Sequence, residues 1–285
     1  MTADRLENFG ASLLQHGPAS DRVYLMKLAA ADLPALLDHI DGLVARHGYS
    51  KVFAKVPAAQ AEAFSLRGYV CEARVPGFYR GCDDGWFLAR YADPARQQDP
   101  AADQVAEVLQ LAQAKARPPR PQVVPDGLVC RLATAVDCDA MAELYRQVFA
   151  SYPFPIHQPD YLRQTLAEQV RYAGIWRGGQ LLALASAEMD VAAGHAEMTD
   201  FATRPDARGQ GLAHLLLQFL ERHMPQEGVR LGYTIARATS FGMNITFSQC
   251  GYRFGGTLVR NTQISGGLES MNVWYRPLAT ALTVT

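Results

Sequence analysis

The run Arg208-Gly209-Gln210-Gly211-Leu212-Ala213 has the composition of a phosphate-binding turn. It follows an apolar segment that ends at Thr203 and precedes leucines at helical spacing, so we predict a loop that opens directly into a helix. At such a junction several backbone N–H groups point at one spot, and the helix N-terminus adds partial positive charge. Gly209 and Gly211 leave room for a phosphate, and Arg208 adds a fixed positive charge. The run therefore predicts a pyrophosphate site.

The spacing of this run differs from two common nucleotide loops. A Rossmann turn has the wider G-x-G-x-x-G spacing and an acidic residue about 20 positions later, and a Walker loop has Gly-Lys before Ser or Thr. The pattern Arg208-x-x-Gly211-x-Ala213 instead resembles the acetyl-coenzyme A loop of the GNAT acetyltransferases. That resemblance implies acetyl-CoA as co-substrate. The residues expected to bind its pyrophosphate are Arg208, Gly209, Gln210, Gly211, Leu212 and Ala213.

Acetyl transfer to an amine requires a base, because a lysine-like ammonium has a pKa of about 10.4. Glu197 lies on the predicted strand before the loop, where some GNAT relatives carry a catalytic glutamate, and Asp200 is the alternative. Burial would raise the pKa of either carboxyl group towards neutrality, which suits a general base. Backbone N–H groups of Phe201, Ala202 and Thr203 are expected to polarise the thioester carbonyl.

The resemblance leaves the general acid open. Many relatives place a tyrosine four residues before a Gly-Tyr pair, whereas this chain has Phe247 there. Ser240 stands where an asparagine is common, and Asn244 is close by in sequence. We expect Asn244 and Phe247 to contact the coenzyme, and the proton donor to the departing thiolate is Tyr233, Tyr252 or water.

Three longer strings, over 235–244, 251–258 and 269–275, are similar to the β-lysine N6-acetyltransferases. This similarity implies a product, Nε-acetyl-β-lysine, that acts as an osmoprotectant. A small diamino acid needs a carboxylate clamp and an acidic contact for its second ammonium group. Candidates for the clamp are Arg237, Asn244 and Asn272, candidates for the acidic contact are Asp200 and Glu269, and candidates for the pocket wall are Tyr152, Trp274 and Tyr275.

Two other functions fit the same residues. The acceptor could be another amine, such as a polyamine, a different amino acid or a peptide N-terminus. The chain could also be a coenzyme A-binding sensor without catalysis, because the expected tyrosine is missing. No convincing metal-ligand cluster is present in the sequence, so we expect no metal.

The elements that must position these residues alternate after residue 128. Apolar periodicity predicts strands over 128–133, 171–177, 180–189, 195–203, 230–236, 252–261 and 270–277, and helices over 137–149, 161–169, 212–224 and 240–249. This order predicts a mixed α/β sheet with helices on both faces. It also matches the GNAT fold over 128–278.

The first hundred residues contain a partial repeat. The string Phe64-Ser-Leu-Arg-Gly-Tyr69 recurs as Phe247-Ser-Gln-Cys-Gly-Tyr252, and predicted strands and helices surround both copies in the same order. Residues 29–32 stand where the first copy would need a phosphate loop, and they contain neither glycine nor arginine. We therefore predict a degenerate, half-sized GNAT-like α/β domain over 1–116, a Pro-rich linker over 117–127 and the catalytic domain over 128–285. The first domain could serve as a lid on the substrate pocket or as the face of a homodimer.

Composition narrows the remaining classes. The 285 residues are 49% hydrophobic with a formal net charge of -1, which argues against bulk electrostatic binding of nucleic acid or an anionic membrane. The five cysteines include no C-x-x-C pair and are typical of reduced thiols. The sequence shows neither a signal-peptide core nor an apolar run of membrane-spanning length. We expect a cytoplasmic enzyme that acts on a small amine.

Overall fold

In residues 4–264 and 266–278, which the computed structural model of the protein describes, thirteen strands form one mixed sheet with seven α-helices. The strands are β1 Arg5–Phe9, β2 Ser12–Gly17, β3 Arg22–Lys27, β4 Lys51–Pro57, β5 Val70–Tyr79, β6 Asp83–Tyr91, β7 Val129–Leu132, β8 Val170–Arg177, β9 Gln180–Asp190, β10 His195–Thr203, β11 Leu231–Arg237, β12 Arg253–Ile264 and β13 Gly267–Pro277. The helices are α1 Ala35–His47, α2 Ala61–Ser65, α3 Ala102–Ala114, α4 Cys138–Val148, α5 Pro159–Ala167, α6 Leu212–His223 and α7 Phe241–Gln249. None of the helices in this part of the chain is both long and apolar enough to cross a membrane.

The strand order shows an internal repeat. The sheet runs β1-β2-β3-β4-β6-β5-β12-β13-β11-β10-β9-β8-β7, so β3-β4-β6-β5 has the same arrangement as β10-β11-β13-β12. In each set the first two strands are parallel and the next two pairings are antiparallel. One helix follows the first strand and a second helix follows the next strand in both sets. We refer to the two parts as the N-terminal half, β1 to β6, and the C-terminal half, β7 to β13.

The repeated string marks the same local structure twice. Phe64 at the end of α2 and Phe247 in α7 are both buried, and each packs edge-on against the tyrosine five residues later, at 5.2 and 5.1 Å between ring centroids. The amide of Tyr69 donates to the carbonyl of Phe64, and the amide of Tyr252 donates to that of Phe247. In both copies the helix therefore ends in the same hydrogen-bonded turn, which holds its aromatic pair.

The N-terminal half is more complete than the sequence predicted. The antiparallel hairpin β1–β2 pairs with β3 as β8–β9 pairs with β10. The prediction missed β1 because this strand is short and largely exposed, so its residues lack the buried alternation that indicates a strand. It missed β2, which is mostly buried, because Gln15 and His16 interrupt its apolar pattern.

The two halves join edge to edge at one tight point. Strands β5 and β12 pair at Ala73 and Gly256. The backbone of Gly256 has φ +146°, and a Cβ atom there would lie 2.1 Å from the carbonyl oxygen of Glu72. Close to this point the buried Lys51 donates to Glu72 at 2.9 Å and to the carbonyl of Val259 at 2.6 Å. Only glycine allows the backbones to approach this closely.

An apolar core lies between the halves. It combines phenylalanines from the N-terminal half with residues of β11, β12 and β13, and its largest members are Phe53, Phe78, Phe87 and Tyr233. The turn after β5 provides a second contact, since the amide of Arg80 donates to the carbonyl of Ala193 at 2.7 Å. The sheet is curved so that residues of β4 reach residues of β11.

The Pro-rich segment lies against the C-terminal half. Gln218 on α6 accepts from the amide of Gln122 at 2.9 Å and donates to the carbonyl of Arg120 at 2.8 Å. Before this segment, α3 packs against α7, where Ser248 donates to the carbonyl of Ala112 at 2.7 Å. Although the segment has neither helix nor strand, its hydrogen bonds fix it along α6. The predicted domain limits at 116 and 128 stay a prediction.

Candidate active site

A cavity of about 600 Å³ lies between the two halves. Its wall contains side chains from β3 and β4 of the N-terminal half, from β9, β10 and β11 of the C-terminal half, and from the loop after α4. The titratable residues among them include Arg22, Tyr24, Lys27, Lys55, Tyr79, Arg80, Tyr152, Glu188, Asp190, His195, Glu197 and Tyr233. The N-terminal half therefore forms one side of this cavity.

Glu197 lies where β10 and β11 separate. These parallel strands pair from His195 to Glu197, and Tyr233 is the last residue of β11 that pairs with β10. The hydroxyl of Tyr233 donates to Oε2 of Glu197 at 2.9 Å. Burial raises the pKa of Glu197, and the nearby ammonium of Lys55 and the tyrosine hydrogen bond oppose that rise. The strand pair thus holds a carboxylate at its point of divergence, with a pKa shifted in the direction that suits a base.

A second glutamate faces the first. Glu188 on β9 is the direct cross-strand partner of Glu197 on β10, and its side chain is exposed to the cavity. Like charges in such a pair repel one another. Desolvation inside the cavity, followed by the charges of Asp200 and Glu197, raises the pKa of Glu188 well above its usual range. A cation placed between the two carboxylates would relieve this repulsion.

Lys55 on β4 supplies positive charge from the wall of the cavity that the N-terminal half forms. Its Nζ donates to the hydroxyl oxygen of Tyr233 at 2.8 Å. Burial works against the charge, but the neighbouring Tyr24 and Glu197 outweigh it and hold the pKa of Lys55 above its usual value. Lys55, Tyr233 and Glu197 thus form a hydrogen-bonded chain that crosses from the N-terminal half to the C-terminal half.

Asp200 has a different environment. It is buried, has φ +53°, and lies at an irregularity in the pairing of β10 with β9 between Thr199 and Ala202. Its carboxylate accepts hydrogen bonds from Tyr152 and, at 2.7 Å, from Ser186. Burial raises the pKa of Asp200, and these hydrogen bonds oppose the rise. Both carboxylate oxygens are therefore engaged in holding the bulge and the loop of Tyr152.

The separation of β10 and β11 leaves a narrower cleft of about 100 Å³. Phe201 from β10 and Phe247 from α7 line it and pack edge-on at 5.6 Å. Thr199 and Ile235 line both this cleft and the larger cavity. The cleft therefore adjoins the cavity at the point where the strands diverge, close to Glu197.

The predicted phosphate loop is an exposed turn at the start of α6. Gly209 and Gly211 have φ +79° and +72°, and a Cβ atom at either would meet open space. Gly211 is the N-cap of α6, and its carbonyl accepts from the amides of His214 and Leu215. The first amides of a helix have no partner within it, so those of Leu212 and Ala213 remain available. Gln210 and Arg208 are exposed beside them.

Three residues predicted for coenzyme or substrate instead bond to one another on the other face of β13. Asn244 Oδ1 accepts from Asn272 at 2.9 Å and from the indole of Trp274 at 2.8 Å, and its Nδ2 donates to carbonyls of Arg237 and Ser240. All three side chains are buried. They fix the start of α7 against β13 and line neither the cavity nor the cleft.

The other predicted residues are divided between the two spaces. Arg237 lines the cleft but forms an ion pair with Glu269 at 2.6 Å, so both charges are already matched. Tyr152 lines the cavity and the cleft. Ala202 and Thr203, whose amides were predicted to polarise the thioester carbonyl, end β10. The side chain of Ala202 is buried and that of Thr203 is half-buried. Tyr252, one candidate acid, is buried and lines neither space.

Sequence reasoning missed Lys55 and Glu188. A lysine within the apolar run Lys51–Pro57 was a signal, because a lysine in the middle of a buried strand needs a partner. Within the described residues no group of three or more His, Cys, Asp or Glu is placed to hold a metal ion.

Comparison with known proteins bears on both halves. The sequence model of the Acetyltransferase (GNAT) family matches residues 138–252. A beta-lysine N(6)-acetyltransferase from Methanococcus maripaludis is 35% identical over 273 residues, which is 96% of this chain and 98% of the relative. Another from Methanosarcina mazei is 41% identical over 155 residues, 54% of this chain and 57% of the relative. The N-acetyltransferase YodP of Bacillus subtilis is 30% identical over 271 residues, 94% of this chain and 96% of the relative.

The residues matched by the family model include the predicted phosphate loop before α6 and the strands β10 and β11. The fold class and the acetyltransferase class predicted from the sequence are confirmed. The chain belongs to the GNAT acetyltransferase family.

Proposed function

We propose that the protein transfers an acetyl group from acetyl-CoA to the side-chain amine of β-lysine and forms Nε-acetyl-β-lysine. The observation that carries the substrate assignment is that the cavity is built by both halves of the chain. A relative named for this activity is similar over 96% of the chain, and therefore over both walls of the cavity. Similarity confined to the C-terminal half would have supported only acetyl transfer.

The proposed base is Glu197. Its carboxylate takes one proton from the substrate ammonium, directly or through a water molecule, and the freed amine attacks the thioester carbonyl. The C–N bond forms, the C–S bond breaks, and the thiolate takes the second proton that the nitrogen loses. Glu197 then returns its proton to solvent. A raised pKa makes Glu197 a stronger base than an exposed glutamate. The difference between its pKa and that of the substrate ammonium is therefore smaller.

We assign the turn before α6 as the site that binds the pyrophosphate of the coenzyme. Its glycines hold positive φ, its amides are free of helix partners, and the helix N-terminus favours negative charge. The cleft beside Phe201 and Phe247 leads from the C-terminal half to the cavity, and we assign it to the thioester arm. Polarisation of the carbonyl by the amides of Phe201, Ala202 and Thr203 belongs to this proposal.

The N-terminal half is proposed to hold no coenzyme. Between β3 and α1, the carboxylate of Asp32 accepts from the amides of Ala11 and Ser12 at 3.1 and 2.9 Å. The position equivalent to the phosphate loop therefore presents a negative side chain whose charge opposes that of a phosphate.

Charge in the cavity supports a cationic substrate. The opposed glutamates Glu188 and Glu197 form an acidic patch on the cavity wall, and an incoming ammonium group placed beside them would be stabilised by it. The carboxylate clamp must come from residues other than Asn272, which lies on the other face of β13. Basic residues in the cavity wall are Arg22, Lys27, Lys55 and Arg80.

The test is an amine panel scored by release of free thiol from acetyl-CoA. With β-lysine, α-lysine, ornithine and spermidine, we expect kcat/KM to be highest for β-lysine by at least about ten-fold, the order expected from a difference of one or two contacts. NMR of the product should place the acetyl group on the side-chain nitrogen. The Glu197→Gln variant should lose about 10²- to 10⁴-fold in rate and still bind coenzyme.

Other results would select the competing functions. Preference for spermidine would indicate a polyamine enzyme, and preference for α-lysine or ornithine would indicate an enzyme for a different amino acid. Normal coenzyme binding with no thiol release from any amine would favour a coenzyme A sensor.

The remaining assignments follow from the substrate. An osmoprotectant role and a cytoplasmic location belong to the proposal, and all five cysteines are free thiols, as that compartment favours. Association of two chains into a homodimer stays a prediction.

A further inference from the structure

We propose that Lys55, a residue of the N-terminal half, is a positioning residue for acetyl transfer that acts on Glu197 through Tyr233. Its hydrogen bond orients the tyrosine proton towards Glu197, and its charge keeps that carboxylate ionised. This inference rests on the proposed role of Glu197 as base, and it makes the N-terminal half part of the catalytic apparatus instead of a wall alone.

The direction of the hydrogen-bond chain follows from the groups in it. A lysine ammonium can only donate, so the oxygen of Tyr233 must accept from Lys55. The tyrosine has one proton, and Glu197 Oε2 lies 2.9 Å from its oxygen. That proton therefore points at the carboxylate. Loss of Lys55 would free the hydroxyl to rotate and would weaken the fixed orientation of Glu197.

The charge balance around Glu197 makes Lys55 necessary. The titratable groups that share the cavity wall with it are Arg22, Tyr24, Lys27, Lys55, Tyr79, Arg80, Tyr152, Glu188, Asp190, His195 and Tyr233, and Asp200 also acts on it. Among these groups Lys55 is the cation whose charge lowers the pKa of Glu197, and burial, reinforced by Lys55, lowers the pKa of His195 to about 3, so that ring is uncharged at neutral pH. Two further carboxyl groups oppose ionisation of Glu197, and a buried base that stays protonated cannot accept a proton.

Lys55 is also held in place. Its ammonium lies 5.3 Å from the ring centroid of Tyr233 and 6.0 Å from that of Tyr24, in addition to the hydrogen bond. A side chain fixed in this way contributes a constant field and a constant donor, both of which a mobile surface lysine would lack.

The chain offers a matched control. Lys51 lies on the same strand, is fully buried, and bonds to Glu72 and Val259 at the joint between the halves. It is absent from the cavity wall. Lys51→Met and Lys55→Met each remove one buried ammonium from β4, but only the second touches the chain that leads to Glu197. Lys55→Arg keeps the charge, and Tyr233→Phe keeps the charge while breaking the hydrogen bond.

The experiment measures kcat/KM for β-lysine against pH in all four variants. We expect Lys55→Met to move the acidic limb of the profile to higher pH by at least one unit, which lowers the rate about ten-fold or more on that limb. Lys55→Arg should restore most of the wild-type profile, and Lys51→Met should leave its position unchanged. Tyr233→Phe should lower kcat and move the acidic limb of the profile less than Lys55→Met does. The KM for acetyl-CoA should stay within about two-fold throughout, since the phosphate loop is remote from β4.

A second readout does not require turnover. Carbon-13 NMR of labelled glutamate carboxyl groups, with Glu197 assigned from the Glu197→Gln variant, reports the titration of Glu197 directly. An upward shift of its pKa in Lys55→Met, absent in Lys51→Met, supports the proposal even if no amine in the panel is acetylated. In that case the proposed substrate fails and the role of Lys55 stands.

Three results would overturn it. One is an unchanged titration of Glu197 in Lys55→Met. Another is an equal shift in Lys51→Met, which would show a general effect of disturbing β4. The last is a rise only in the KM for β-lysine with an unmoved pH profile, which would make Lys55 a ligand of the substrate carboxylate.

Discussion

Lys55 of the N-terminal half and Tyr233 of the C-terminal half lie on corresponding strands, β4 and β11, and are hydrogen-bonded to each other at 2.8 Å. The register of the pairs Tyr24–Phe53 and Glu197–Tyr233 makes Phe53 the counterpart of Tyr233, so Lys55 lies two residues further along its strand. The two corresponding strands thus meet across the cavity in which the chemistry is proposed to occur.

The Asp200→Asn variant separates the two candidate bases. Asn adopts positive φ more readily than most residues, so the bulge should persist. One of the two hydrogen bonds, from Tyr152 or Ser186, will be lost, and we expect the free energy of unfolding to fall by about 1–3 kcal/mol. The rate should fall less than about ten-fold. Urea unfolding and kcat/KM for β-lysine check both effects, and a loss as large as that of Glu197→Gln would make Asp200 the base.

The Gly211→Ala variant tests the grip on pyrophosphate. Alanine at φ +72° is strained by about 1–2 kcal/mol, and relief of that strain turns the loop amides away from their common focus. We expect the Kd of coenzyme A to rise about ten-fold or more, which is about 1.4 kcal/mol. Gly68→Ala is the control, because Gly68 has φ +79°, faces open space and lies in the N-terminal half. Calorimetry showing equal weakening by both variants would reject the assignment.

The Trp274→Phe variant tests whether the buried network is structural. Phenylalanine fills much of the same space but leaves Asn244 Oδ1 with only the Asn272 donor. We expect a loss of about 1–3 kcal/mol in the free energy of unfolding and an unchanged KM for the amine. A raised KM with normal stability would return Trp274 to the substrate wall.

His195 predicts a particular dependence of stability on pH. Its ring is 5% exposed and stacks on Phe78, and burial, with help from Lys55, lowers its pKa to about 3. Between pH 6.5 and 3 the unfolded state therefore binds a proton that the folded state excludes, so this group makes stability fall as pH falls. From pH 6.5 to 5 the contribution approaches about 2 kcal/mol. Urea unfolding of wild type and His195→Gln should show a steeper loss in wild type, and parallel curves would contradict the prediction.

The sequence predicted the local features of the C-terminal half well. Strand β10 was predicted with the bounds that the structure has, because polar residues alternate with apolar ones up to a glycine-rich turn. The predictions of a phosphate loop and of Glu197 as base depend likewise on residues that are close in sequence, and both roles stay predictions. The hairpin β1–β2 was missed because its outer strand is exposed.

The alternation of side chains along β13 does not reveal which face of the strand lines the cavity. Alternation places Met271 and Val273 on the face that packs towards the N-terminal half, and Asn272 and Trp274 on the face that packs against α7. The sequence gives two faces but does not show which one lines a pocket, and a choice shifted by one residue exchanges them. Of the substrate candidates on β13, Asn272 and Trp274 lie on the face away from the cavity, whereas Tyr275 shares the face of Met271 and Val273.

The partner of Lys55 could not be predicted from the sequence for another reason. It is separated from Tyr233 by 178 residues, and the contact depends on the curvature of the whole sheet. Local patterns contain no information on that curvature. Only the repeated string at Phe64 and Phe247 indicated that the two parts share a plan, and a shared plan does not reveal how they face each other.

The joint at Gly256 connects the two walls of the cavity, which different segments of one chain encode. A chamber shared by two identical subunits presents the same amino acid from each side, and every mutation appears twice. Here each side can diverge alone: the C-terminal half carries Glu197 where the register of the N-terminal half places Tyr24. Such asymmetry suits an acceptor molecule whose two ends differ, because each end meets its own chemistry.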